Sequence, residues 1–397
     1  MIDIDENWHE GFLSGKRVIV GATASISVYR LPDIIREIRR EGAEVIVGAS
    51  EESLELIGEK VLHWASENRV VNKISGDIEH INLFMGRSED TALLIAPATY
   101  NFIGKAASGI ADDVPSLFFS FAFGNGNPVI VVPVMHEAMF SNSIFSRNLD
   151  KLRSAGVSIV PPHIAAGKAK ISEPELVVDY VCRSLGKHPL AGKRSLVIGG
   201  SGSEPIDPVR SISNASTGFT GVWFTRNLFR EGADDICYVG NSMFPLPGYV
   251  RFLKASTMDE FRDRTLLALS EMPPDVVICP AALPDFRPEK SSSEKIDSGS
   301  DVKLTLKRNR KLLEDIRARY GGPLVSFKLG DEPPSRKDIG ENDFVVFNSY
   351  SSRSGPFGEV SNDYILITRD QEIKLGKLPK PKLTLEVIRK VSGALHG

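Results

Sequence analysis

Three cysteines in 397 residues, at positions 182, 237 and 279, form no C-x-x-C pair. That scarcity argues against a cysteine-based zinc site and for a reducing compartment. No charge of one sign dominates, with 48 basic residues against 51 acidic ones. No polyanion-binding surface is expected, and nucleic acid is not an expected partner. The longest apolar runs, around 117–123 and 129–134, fall well short of a bilayer span. The opening MIDIDENWHEGFLSG is acidic and polar, the reverse of a signal-peptide start. The expectation is a soluble cytoplasmic protein acting on small molecules. Two nucleotide motifs are also missing. There is no Walker A string, and G-x-G-x-x-G read from Gly200 meets Pro205 where its third glycine should stand.

What is present is enough chain for two α/β domains with full cores. Buried-strand patterns at 16–23 and 44–48 flank a helical spacing over 27–40, a right-handed β-α-β opening. Further strands are expected at 92–95, 129–132 and 157–159. Residues 182–193 mix Gly, Pro and basic side chains and form the best linker. The alternation then restarts at Ser195, with strands expected at 236–239, 276–279, 324–327 and 344–347. The segment 290–301 reads as a mobile flap. The fold class expected is α/β, two tandem Rossmann-like domains with mostly parallel sheets. The boundaries are 1–185, a linker at 186–192, and 193–397.

The stretch SLVIGGSGSEPIDPVRSISNASTG, from Ser195 to Gly218, is the most informative. A buried strand breaking into a glycine turn is how α/β proteins bring backbone N–H groups up to a phosphate. A bare glycine turn after a strand is more often only a turn. The whole string, however, resembles the signature of phosphopantothenate–cysteine ligases: a Gly-Gly turn, E-P-[IL]-D-P-V-R, then an Asn before a Ser-rich, Gly-ended turn. Downstream, Ala281-Ala282 with Asp285 resembles that family's A-A-x-x-D element. Lys295 matches its K-I-K lysine, with Asp297 replacing the second basic residue. Asn309 stands in its N-P-D element, whose Pro-Asp has become Arg310-Lys311. Phe327 takes the place of its G-F-x-x-E phenylalanine without the Glu, Lys337 and Asn348 fall among its remaining nucleotide contacts, and Phe357 and Asn362 resemble its closing turn.

In the first half, Gly21, Thr23 and Ser25 lie at a strand-to-helix junction, where hydroxyls can meet a phosphate or simply cap the helix. Glu79-His80-Ile81-Asn82-Leu83 and Pro97-Ala98-Thr99-Tyr100-Asn101 resemble the flavoprotein family of cysteine decarboxylases. That resemblance implies a flavodoxin-like domain holding FMN through Gly21, Thr23, Ser25, Ser50, Pro97, Ala98, Thr99 and Asn101, with His80 catalytic. The family's P-x-M-N-x-x-M reads Pro133-Val134-Met135-His136-Glu137-Ala138-Met139 here, placing Met135 and His136 at the substrate. No zinc helix is formed there, because Phe140 occupies the second His position of H-E-x-x-H. The family's flap cysteine has no counterpart after Pro162, and the short GKAK ending looks like the archaeal branch of the bifunctional enzymes.

Together the resemblances imply CTP- and Mg²⁺-dependent ligation of 4′-phosphopantothenate with cysteine, followed by FMN-dependent decarboxylation. Asn214 would steady the acyl centre, Lys295 the phosphate charge and Arg210 the substrate phosphate. Gly200, Asp285, Lys295, Asn309, Phe327 and Lys337 would meet the nucleotide, and Ala281 and Ala282 the substrate. No protein-held metal is expected. The family also implies a homo-oligomer, with trimeric flavin domains and dimeric ligase domains. The alternative is a ligase whose N-terminal flavin domain is regulatory. A two-domain NAD(P) oxidoreductase is disfavoured by the missing fingerprint.

Overall fold

The computed structural model describes residues 11–165, 168–299, 301–349 and 361–395. The chain divides into two compact units between Lys187 and His188. Phe357 of the expected closing turn lies outside the described residues.

In the first unit, five strands form one parallel sheet in the order Glu44–Ala49, Arg17–Ala22, Thr91–Ala98, Val129–Pro133, Ser158–Ile159. Helices cover both faces, so the strands read as near-continuous apolar runs. Alternation still assigns the faces. Val18, Val20, Leu94 and Ala96 enter one core cluster, and Ile19, Leu93 and Ile95 enter the other. The expected helix over 27–40 is two pieces, a 3₁₀ turn Ile26–Arg30 and an α-helix Leu31–Arg40. Pro32 lies in the first turn of the second piece, where its missing N–H costs nothing. The helix Val114–Gly124 lies close on the sheet. A Cβ on Gly48 would stand 2.3 Å from Phe118 of that helix, and one on Gly21 would stand 3.4 Å from its Pro115 and 2.4 Å from Ile95 Cδ1 on the adjacent strand.

The second unit holds an eight-stranded sheet in the order Arg251–Lys254, Asp235–Gly240, Arg194–Gly199, Val276–Cys279, Leu324–Gly330, Asp343–Ser349, Ser361–Ile367, Glu372–Pro379. Strand pairing is parallel up to Asp343–Ser349 and antiparallel across the last two strands. The strands Arg251–Lys254, Ser361–Ile367 and Glu372–Pro379 went unread in the sequence. The C-terminal helix Lys380–Ala394 packs on Phe219–Arg230, where Asn227 donates to Pro381 O at 2.9 Å and Thr384 Oγ1 at 2.8 Å. The buried Tyr238 ring explains two glycines. A Cβ on Gly199 would meet its hydroxyl at 2.4 Å, and one on Gly221 its ring at 2.9 Å.

In both sheets the first strand in sequence lies inside the order, leaving a point where the connections diverge. Open α/β sheets bind ligands outside the carboxyl ends of the strands at that point. Among the described residues, no helix is long and apolar enough to cross a membrane.

Candidate functional sites

In the first unit the divergence point falls between Arg17–Ala22 and Thr91–Ala98. The hydroxyl of Thr23 donates to Pro97 O at 2.7 Å and accepts from Thr99 N at 3.3 Å. It therefore ties the two strand ends together. The Ala96–Pro97 bond is cis. Thr99 caps the nine-residue helix Tyr100–Ser108 by accepting from Phe102 N at 3.2 Å. Ser25 and Ser50 cap the short helices that follow the first two strands. Asn101 is exposed in the first turn of its helix, and Ala98 is buried. Gly21 serves the packing described above rather than lying open at the edge. Past the helix Tyr100–Ser108, Asp113 forms a capping box with Ser116 and pairs with Lys105 at 3.0 Å.

His80 lies in the short helix Glu79–Asn82. Its ring meets Phe121 edge-on at 5.7 Å, and its Nδ1 is buried without a hydrogen-bond partner among the described residues. The helix is pinned at its start. Glu79 accepts from Ser75 N at 2.9 Å and Ser75 Oγ at 2.6 Å, bonds that hold its carboxyl well below the usual range. Ile78, just before it, has φ +47°, a left-handed conformation that a β-branched residue rarely adopts. Such strain collects where a structure fixes a functional side chain. His136 is exposed in the strand Met135–His136, and its Nδ1 accepts from Ala138 N at 3.2 Å. Nε2 then carries the proton of the neutral ring and can donate outward.

In the second unit a cavity of about 560 Å³ opens at the strand ends, within the usual range for small-molecule sites. Asn214, Ala281, Ala282, Asp285, Asn309 and Phe327 all line it. The glycine turn and the alanine pair are joined by backbone bonds, Ala282 N to Gly200 O at 2.9 Å and Gly202 N to Ala282 O at 3.0 Å. Asn309 closes on the same turn. Its Nδ2 donates to Pro284 O at 3.0 Å and its N–H to Asp285 O at 2.8 Å. Lys311 pairs with Asp285 at 2.5 Å, and Arg310 with Asp315 at 2.9 Å. The twelve-residue helix Phe219–Arg230 begins at Gly218 (φ +80°) with no side-chain cap, and Thr217, Phe219 and Thr220 line the cavity. Uncapped N–H groups of such a helix suit an anion. Among the described residues, Arg310, Lys311, Lys328 and Lys380 line the cavity against one carboxylate, Asp285.

Gly200, Arg210, Lys295 and Lys337 are not among the lining residues. A Cβ on Gly200 (φ +99°) would stand 2.2 Å from Asn241 O, and Asn241 Oδ1 already accepts from Ser201 N at 3.1 Å. The turn is therefore filled from within the protein. Arg210 pairs with Asp207 at 2.7 Å, and Lys295 and Lys337 are exposed. The sequence reading missed Cys279, Lys328, Tyr364 and Lys380 in the lining. Pro381 at the helix start is the signal that could have placed Lys380 at an element boundary. Burial pushes the Cys279 thiol up to about 12, so it lines the cavity as a neutral group.

These folds and sites define a two-domain α/β protein whose halves each match a flavoprotein family. The Flavoprotein model matches residues 7–186, and the DNA/pantothenate metabolism flavoprotein C-terminal domain matches 190–395. The chain belongs to the family of coenzyme A biosynthesis bifunctional proteins. It is 33% identical to the one from Thermococcus kodakarensis over 384 residues, 94% of this chain and 93% of that protein. It is 37% identical to the one from Methanocaldococcus jannaschii over 315 residues, 79% of this chain and 76% of that protein. A crystal structure of the C-terminal domain of such a protein covers 52% of this chain and 99% of that chain, with 24% identity and a TM-score of 0.44.

Proposed function

We propose that this chain carries out two steps of coenzyme A biosynthesis, ligating 4′-phosphopantothenate with cysteine and decarboxylating the product to 4′-phosphopantetheine. The observation that carries the reading is the cavity gathering Asn214, Ala281, Ala282, Asp285, Asn309 and Phe327. Its excess of lysine and arginine and its uncapped helix start suit a phosphorylated substrate and a nucleotide triphosphate. CTP would activate the carboxylate as an acyl-cytidylate, which the amine of cysteine attacks. Asn214 would donate to the developing oxyanion, and Lys295 would meet phosphate charge from outside the cavity. Among the described residues, no group of three or more His, Cys, Asp or Glu could hold a metal ion. Mg²⁺ would arrive with the nucleotide, held largely by its phosphates.

The first unit fits FMN on two counts. The buried Nδ1 of His80 lacks a partner among the described residues, and the Thr99-capped helix and exposed Asn101 sit at the divergence point. FMN, when bound, supplies the two-electron chemistry that takes electrons from the substrate thiol and returns them after carbon dioxide is lost. His80 would move the proton and His136 Nε2–H would hold the substrate carboxylate. Met135 would lie beside it. A cytoplasmic homo-oligomer is the setting this reading implies.

Incubating the full chain with 4′-phosphopantothenate, cysteine and either CTP or ATP, then weighing the products, tests both steps. The expected result is a yellow protein that forms 4′-phosphopantetheine with CTP. Product stopping at 4′-phosphopantothenoylcysteine in an FMN-loaded chain would favour a regulatory flavin domain.

A further inference from the structure

None of the E-P-I-D-P-V-R string, residues 204–210, lines the cavity. Glu204 is buried, and its Oε1 accepts from Met258 N at 2.9 Å, capping the helix Met258–Glu271. The residues after it hold a different segment. Ser291 Oγ donates to Pro205 O at 2.7 Å and Ser292 N to Ile206 O at 2.9 Å. The N–H of Ile296 donates to Asp207 Oδ2 at 3.1 Å, and the Arg210 guanidinium donates to Ile296 O. Around these bonds, residues 289–299 contain neither helix nor strand, and all but Ile296 are exposed. Both backbone polar groups of Ile296 are therefore gripped, and its neighbour is Lys295.

The grip is centred on Asp207, whose side chain is inaccessible to solvent. Besides Ile296, its carboxylate accepts from Val209 N at 2.8 Å, Arg210 N at 2.7 Å and Arg210 Nε at 2.9 Å. A buried carboxylate is tolerable only with such partners. Burial by itself would raise its pKa, but these donors outweigh it and hold the carboxyl below the ordinary range.

We propose that Asp207 is a positioning residue for ligation: with Arg210 it forms the receptor that docks the 291–296 segment and fixes where Lys295 projects. The proposal rests on the ligase reading above. Asp207 acts on the reaction only through that segment.

The full chain is compared as wild type, Asp207→Asn, Ile296→Pro, Lys295→Ala and the Asp207→Asn/Lys295→Ala double variant. Ile296→Pro removes the segment's own N–H and leaves Asp207 intact, so it tests the same bond if Asp207→Asn fails to fold. Trypsin cleavage after Lys290 and Lys295 reads docking and is expected to quicken about tenfold in Asp207→Asn and Ile296→Pro, as loss of a hydrogen bond to a charged group implies. The ligation kcat is expected to fall about tenfold in both, with decarboxylation unchanged. The double variant should be no slower than Lys295→Ala, because two residues acting as one unit are not additive. Unaltered cleavage, or losses that multiply in the double variant, would overturn the proposal. A wild-type chain that does not ligate defeats the ligase reading and the catalytic claim with it, whereas docking is decided by trypsin alone.

Discussion

The hydroxyl of Thr23 and the carbonyl of Pro97, 74 residues apart in sequence, are joined by a 2.7 Å hydrogen bond that closes the strand ends of the first sheet. Thr23→Val keeps the shape and leaves that buried carbonyl unpaired. The expected cost is about 1–3 kcal/mol of stability in the first unit, with weaker FMN retention. Thermal melting and the flavin absorbance of the purified variant check both. Unchanged melting together with full flavin content would contradict the role assigned to the bond.

His80 and His136 should separate by what they lose. His80→Asn is expected to retain FMN and slow decarboxylation at least about 10²-fold, the usual contribution of a positioned acid or base. His136→Asn should stay active, since Asn both caps a helix and donates to a carboxylate. His136→Ala should raise KM for the decarboxylation substrate while leaving kcat nearly intact. Steady-state kinetics on FMN-loaded protein distinguish the three. Equal FMN loss in His80→Asn and His136→Asn would mean that both rings merely pack.

In the cavity, Asn214→Asp is expected to lower ligation by about 10²–10³-fold and to let activated acyl-nucleotide accumulate. Rapid-quench analysis would detect it, and turnover like wild type would remove Asn214 from the acyl centre.

Lys311 and Asp285 are both mostly exposed, so their ion pair should contribute at most about 1 kcal/mol to stability. Lys311→Ala is expected to leave the melting temperature almost unchanged and to raise KM for the nucleotide. A large fall in melting temperature with unchanged KM would show that the pair is structural.

Asp207 gives the second unit an acid-side dependence. Its folded pKa lies below its unfolded value, so its stabilisation is full above the unfolded pKa, about 3.9, and is lost as pH falls through the lower folded value. Unfolding measured between about pH 2 and 6 should therefore show a steeper acid-side loss in wild type than in Asp207→Asn. Identical slopes would mean that the carboxylate is not held as the hydrogen bonds indicate.

The central strands were legible because both faces are buried, which writes them as short apolar runs. Val276–Cys279 was read to its ends. Arg251–Lys254 was not, since an edge strand with mostly exposed side chains has no apolar signature. The helix caps show a different limit. Ser25, Ser50 and Thr99 satisfy both a capping and a phosphate reading, and each caps a helix here. The ligase resemblance singled out Asn214, Ala281 and Asn309, which line one cavity here. It could not reveal that Arg210 is engaged by Asp207, because that depends on which way one side chain turns at the end of a loop. Nor could it place Lys380, which comes to the cavity on a helix far along the chain and belongs to no motif.

Gly202 has room for no more than hydrogen because a Cβ there would stand 2.1 Å from Pro284 Cδ, just as Gly200 is confined by Asn241. Together with the buried Glu204, these residues make part of the diagnostic string a joint between loops. A database scan keyed to that string is thus partly a detector of architecture. A diverged copy that had exchanged only Asn214, which lines the cavity, would keep its joint and most of its score, and on the proposed ligase reading would lose its reaction. The discriminating letters for inferring activity are the few that face the cavity.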